Sequence, residues 1–199
     1  MNASPPKRLS ALKDMVQAMT RLSGDALDEP TLVAHGQRLM RTLIAKDDWL
    51  PEELAQPHPE FYRQYLLHAD PLGRFSLVSF VWGPGQQTPV HDHTVWGIIG
   101  MLRGAEFSQA YTASGLGPLQ AGPEHRLDPG DVEVVSPTVG DIHRVRNAHA
   151  DQVSISIHMY GGNIGEISRH VFDPATGQPK PFVSGYSNTM VPNLWGPGA

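Results

Sequence analysis

The feature that most narrows the fold is a change of texture at Phe61. Upstream of it, apolar residues recur at spacings of three and four: Leu9, Leu12, Met15, Val16, Met19 and Leu22, then Leu32, Val33, Leu39, Met40, Leu43 and Ile44. That period predicts amphipathic helices over residues 5–22 and 30–46, the first ending at Gly24. Pro51-Glu52-Glu53 predicts the first turn of a short third helix, because proline fits that turn and acids favour its positive end. From Phe61 onward the chain runs in short stretches rich in β-branched and aromatic residues: FYRQYLL, RFSLVSFVW, VWGIIGML, EFSQAYTA, DVEVVSP, HRVRN and QVSISIHMY. Turn segments separate them: GPGQQTP, ASGLGPLQAGPEH, LDPGD and NAHAD. Short strands at such intervals predict a mainly β chain, an antiparallel sandwich or barrel with a helical N-terminal segment packed on it. A length of 199 residues fits one domain. Within residues 1–199, the helical part is expected over 1–58, the barrel core over 60–172 and a C-terminal extension over 173–199.

Charge and composition exclude several function classes. A net charge of −5 without a Lys/Arg cluster argues against nucleic acid and anionic membranes as partners. With no cysteine, disulfide scaffolds, thiolate zinc sites, iron–sulfur clusters and thiol nucleophiles are all excluded. The first residues lack the apolar core of a secretory signal, so a cytoplasmic location is expected. Ten histidines in so short a chain hint at metal chemistry.

That hint sharpens at Gly85-Gln-Gln-Thr-Pro-Val-His91-Asp-His93. On a strand, residues two apart project to one side, so His91 and His93 can both point into a barrel. Gly140-Asp141-Ile142-His143-Arg144-Val145-Arg146-Asn147 follows fifty residues later. The first segment has Gly85, five residues, His91-x-His93, three residues, Gly97, six residues and Gly104. The second has Gly130, Pro137, Gly140, His143 and Asn147, with one extra residue before Pro137 and one before Gly140. Together they resemble the paired motifs of the cupin superfamily, which implies a jelly-roll β-barrel. In the general cupin pattern a glutamate stands where this chain has Gly97. Three neutral imidazoles would leave a divalent ion its full charge and favour an anionic ligand such as a thiolate; the ligand type alone would also suit Zn, Ni, Cu or Mn.

Ser156-Ile157-His158-Met159-Tyr160 places Ser156, His158 and Tyr160 on one strand face, able to form a hydroxyl–imidazole–phenol chain that orients the Tyr160 hydroxyl. With the two motifs, this triad resembles the cysteine dioxygenase family of thiol dioxygenases. The resemblance implies Fe(II) held by His91, His93 and His143, conversion of a thiol to a sulfinic acid with both atoms of O2, and a role for Tyr160 beside the substrate.

Departures from the animal enzymes bear on the substrate. Their Cys–Tyr crosslink is impossible here, and the arginine of their Tyr-x-Arg segment is replaced by Gln64 in Tyr62-Arg63-Gln64. Arg63 would face the other side of the strand. This arrangement is similar to the bacterial 3-mercaptopropionate dioxygenase branch, which implies that Arg169 takes the substrate carboxylate and that Gln64 suits a substrate without an ammonium group. The expected partners are therefore a small thiol carboxylate and O2, with the protein a monomer or weak homo-oligomer. L-Cysteine or mercaptosuccinate as substrate, or a cupin that binds metal and ligand without turnover, stand as alternatives. Gly161-Gly162-Asn163-Ile164-Gly165 lacks a Walker lysine and predicts a turn. Trp82, Trp96 and Phe107 are expected in the core or pocket wall, and no catalytic role falls to His35, His58, His68, His125, His149 or His170.

Overall fold

The computed structural model describes residues 9–113, 115 and 117–196. Helix α1 spans Ser10–Leu22 and α2 spans Glu29–Ile44. The first turn predicted for α1 at residues 5–8 lies outside the described residues. Ser23, with Gly24 just beyond it, ends α1, while Asp28 caps α2 by accepting from the Thr31 amide, with Pro30 in the first turn. The Pro51-Glu52-Glu53 signal yields a single 3-10 turn, Glu52–Leu54.

Among the described residues eleven strands follow: β1 (Arg63–Ala69), β2 (Ser76–Trp82), β3 (Val90–His91), β4 (Gly97–Arg103), β5 (Glu106–Thr112), β6 (Gln120–Leu127), β7 (Val132–Val135), β8 (His143–Asn147), β9 (Ser154–Tyr160), β10 (Arg169–Phe172) and β11 (Pro179–Phe182). They form two antiparallel sheets, ordered β1-β2-β9-β4-β7 and β11-β10-β3-β8-β5-β6. This is the two-sheet jelly-roll barrel expected of a cupin, with helices at its N-terminal end.

The central strands of the first sheet, β2, β9 and β4, are buried on both faces, and strand parity divides their residues between two environments. On β9, Ile155, Ile157 and Met159 pack against the helices in a cluster with Leu12, Met19, Met40 and Trp49. The alternate residues, Ser154, Ser156, His158 and Tyr160, face the barrel interior and are equally buried. All seven β9 residues are thus inaccessible, yet only one face is apolar. Trp49 anchors the outer layer: it is 1% exposed and donates its indole N–H to the Leu43 carbonyl. Trp49→Ala is expected to cost about 3–5 kcal/mol in urea unfolding, the range for truncating a buried aromatic; a loss under about 1 kcal/mol would show that the helices contribute little to the fold.

Two strands and one side chain depart from the sequence reading. ASGLGPLQAGPEH is not wholly a turn, because its second half begins β6, an edge strand where the missing N–H of Pro123 is tolerated. The expected C-terminal extension contributes β11, which pairs with β10 and completes the second sheet. Phe107 is neither core nor pocket wall: it is half-buried on the outside of β5, between the guanidinium groups of Arg126 and Arg146. Trp82 and Trp96 are buried as expected, and Gly161–Gly165 forms turns.

Candidate metal centre

β3, the residues just after it and β8 bring three imidazoles together. His91 on β3 lies opposite His143 on β8, and His93 follows two residues on. Their ligand atoms lie within 4.8 Å of one another, and the ring centroids form a nearly equilateral triangle of 4.8, 4.9 and 4.9 Å with the planes steeply inclined. All three are buried.

The outer nitrogens are occupied. His91 Nδ1 lies 3.0 Å from the Pro89 carbonyl, His93 Nδ1 lies 2.9 Å from Asp141, and His143 Nδ1 lies 3.4 Å from the Ser108 hydroxyl, which itself donates to Glu133. An acceptor at Nδ1 fixes the proton there and leaves the Nε2 lone pair for a metal. His93 Nε2 is buried without a partner. Burial, reinforced by the neighbouring imidazoles, pushes His91 down to about 3 and holds His143 well below the usual histidine range, so both are neutral at neutral pH. An unpartnered buried nitrogen among neutral, converging imidazoles fits a divalent transition metal.

Asp141, which carries no assigned role in the sequence reading, is a further structural part of the centre. It accepts from the His93 amide, the His93 ring and the Thr94 amide. Burial opposes its charge, but these bonds outweigh it and hold the carboxyl below the usual range. They also stabilise Thr94 at φ 60°, the one positive φ of a non-glycine residue among those described. Gly97 has no room for the cupin glutamate: a Cβ there would stand 2.9 Å from Val135 and 3.0 Å from the Tyr160 ring. That ring stacks on His93, with centroids 5.4 Å apart.

The expected β9 chain is formed. Ser156 Oγ lies 2.8 Å from His158 Nε2, and His158 Nδ1 lies 2.7 Å from the Tyr160 hydroxyl. Burial drives His158 well below and Tyr160 well above their usual ranges, so both are neutral. Trp82 donates to Ser156 at 3.2 Å, a link the sequence did not announce.

His91 and Tyr160 open onto a cavity of about 190 Å3 that also contains Gln64, Arg169 and Ser184. That is below the ~300–1,000 Å3 typical of drug-sized ligands. Arg169 is 4% exposed; it donates to Ser184 at 2.7 Å and sits over the Phe182 ring, while its Nε is buried without a partner. Among the described residues no carboxylate lies within ion-pair distance of it. Arg63 lies outside this cavity, over Phe61. His170 pairs with Asp92, and His125 with Glu133.

A three-imidazole cluster facing a small pocket inside a jelly-roll barrel defines a cupin with a candidate metal centre. The chain belongs to the cysteine dioxygenase type I family, whose pattern matches residues 33–173. Among solved structures it is similar to an uncharacterised protein with a double-stranded β-helix domain from Klebsiella pneumoniae, at 18% identity over 57% of this chain and 89% of that one (TM-score 0.46). It is also similar to a cupin superfamily protein from Desulfitobacterium hafniense, at 13% identity over 59% and 94% of the two chains (TM-score 0.44).

Proposed function

We propose that this protein is an iron-dependent thiol dioxygenase that oxidises 3-mercaptopropionate with O2 to 3-sulfinopropionate. His91, His93 and His143 hold Fe(II), which when bound supplies open coordination positions and the one-electron chemistry that activation of O2 requires. The net change is insertion of both oxygen atoms at sulfur, RSH + O2 → RSO2H.

The observation that carries the substrate assignment is Arg169. A buried guanidinium with a free N–H edge and no carboxylate partner is costly unless an anion completes it, and a carboxylate matches its fork. The cavity therefore has a basic end at Arg169 and a metal end at His91, suited to a short molecule with a carboxylate at one terminus and a thiol at the other. Gln64 is neutral and the described lining contains no carboxylate, so nothing there pairs with an ammonium group. This favours 3-mercaptopropionate over L-cysteine. Tyr160, held by His158 and Ser156, orients its hydroxyl beside the reacting sulfur.

The test is O2 uptake by the Fe(II)-loaded protein with 3-mercaptopropionate, L-cysteine and mercaptosuccinate, with sulfinate quantified. One sulfinate per O2 and the highest kcat/KM for 3-mercaptopropionate are expected. A higher value for either rival reassigns the substrate, and no uptake by iron-replete protein leaves a binding cupin. Tyr160→Phe is expected to lower kcat by about 100-fold, the low end for loss of a positioned proton donor, with metal affinity unchanged. An unaltered kcat would remove the hydroxyl from the mechanism.

A further inference from the structure

Three neutral imidazoles leave a divalent ion its full charge, and Gly97 has no room for the glutamate that offsets it in the general cupin pattern. Two acids stand instead behind the imidazoles. Asp141 meets the His93 ring directly, at 2.9 Å. Glu133 reaches His143 through one intermediary, Ser108, whose hydroxyl lies 3.1 Å from Glu133 Oε1 and 3.4 Å from His143 Nδ1. The outer partner of His91 is a backbone carbonyl, which carries no net charge.

Both sheets fix this line of contacts. Glu133 lies on β7, at the edge of the first sheet, opposite Ile99 of β4. Ser108 on β5 and His125 on β6 are register partners in the second sheet. His125 Nε2 also lies 3.1 Å from Glu133 Oε1, so one carboxylate oxygen joins the two sheets. Ser108 is fully buried, Glu133 largely so, and His125 is half exposed. Burial raises the Glu133 carboxyl, while His125, Ser108 and His93 oppose the rise. Its second oxygen, Oε2, is buried without a partner among the described residues.

The donor inventory gives this line a direction. A carboxylate can only accept, and a hydroxyl has one proton to donate. Ser108 directs that proton to Glu133 and turns its lone pairs to His143, whose Nδ1 then carries the ring proton. The Nε2 lone pair is left for the ion.

We propose that Glu133 is a positioning residue for the metal centre. Acting through Ser108, it fixes the His143 ring with Nε2 toward the ion. With Asp141, it supplies from outside the ligand set the negative charge that a cupin glutamate supplies from within it. An acid bonded to the metal occupies a coordination position, whereas one behind an imidazole leaves that position open. This role rests on the metal-centre reading and does not require that the protein turn over thiols.

Anaerobic zinc titration of the wild type, Glu133→Gln, Ser108→Ala, the double variant and His125→Gln tests it. Glu133→Gln keeps the shape and removes the charge. It is expected to weaken zinc binding by about 10-fold, the low end for loss of an outer partner of a ligand histidine. Ser108→Ala should do the same, and the double variant should lie within about 3-fold of Ser108→Ala, because the path is already cut. His125→Gln should stay within about 3-fold of the wild type, since water replaces a half-exposed partner. In the iron-loaded protein Glu133→Gln should raise the Fe(III)/Fe(II) midpoint potential, because the lost negative charge favours the more highly charged ion. The Tm of the metal-free protein should stay close to wild type, and a packing defect would lower it without moving the potential. Wild-type zinc affinity in Glu133→Gln overturns the proposal. So does a further 10-fold loss when Glu133→Gln is added to Ser108→Ala, which would show that the acid acts by another route. A lowered Tm with an unmoved potential would reduce Glu133 to a link between the sheets. Failure of the wild type to bind either metal defeats the metal-centre reading, and the proposal with it. Metal binding without O2 uptake defeats only the dioxygenase reading and leaves the role of Glu133 standing.

Discussion

Alanine at His91, His93 or His143 is expected to weaken binding of Fe(II) or zinc by more than 100-fold. Loss of an outer partner that merely orients a ligand histidine costs about 10- to 100-fold in metal affinity, and loss of the ligand itself costs more. Each of the three makes an independent contribution to the cluster. His91 is fixed by a backbone carbonyl, His93 by the Asp141 carboxylate, and His143 by a hydroxyl that leans on Glu133. The ring centroids are equally spaced, so no pair forms a tighter bidentate site that could retain the ion alone. Anaerobic titration monitored by calorimetry checks this, with His35→Ala as a control, since His35 lies on α2 and bonds to Arg38. A variant that keeps wild-type affinity removes its residue from the ligand set, and three such variants remove the centre. The folded apo state should persist in all three, because the barrel core is built without them.

How much of this was legible in the sequence depends on whether periodicity or long-range pairing carries the information. The β9 chain was legible because strand parity alone places Ser156, His158 and Tyr160 on one face, and the structure puts them in one line of contacts. The convergence of His91, His93 and His143 was legible only through the resemblance of two motifs, since no local rule brings β3 opposite β8. β6 and β11 were not legible. Pro123, Pro179 and Pro181 lack the N–H that an inner strand must donate, and only at a sheet edge does that loss leave no partner unsatisfied. Asp141 was not assigned a role for a related reason. An aspartate just ahead of a strand is ordinarily solvated, and its bonds to the His93 amide and ring follow from long-range packing that its own segment does not encode. The vacancy at Gly97 was visible, but its cause was not: the Tyr160 ring and Val135 fill the space a side chain would need.

Arg169→Ala should separate thiol acids from neutral thiols. For 3-mercaptopropionate, kcat/KM is expected to fall by about 100-fold, since truncating one partner of a buried, hydrogen-bonded charge pair costs ~2–5 kcal/mol. For 3-mercaptopropanol, which has the same chain length and no charge, the change should stay within a few-fold. Lysine at the position should recover only part of the loss, because an ammonium supplies the charge without the planar fork. The free protein gives a second, independent reading. Without ligand, Arg169 is 4% exposed and its Nε lacks a partner, so it is a burden on the fold rather than a support. Its removal is expected to leave Tm unchanged or higher, despite the lost contacts with Ser184 and Phe182. A fall in Tm together with equal losses for both thiols would mean that Arg169 serves the packing of β10 and β11 and not the substrate. Unequal losses with Tm maintained would establish that the guanidinium is held in reserve for a carboxylate.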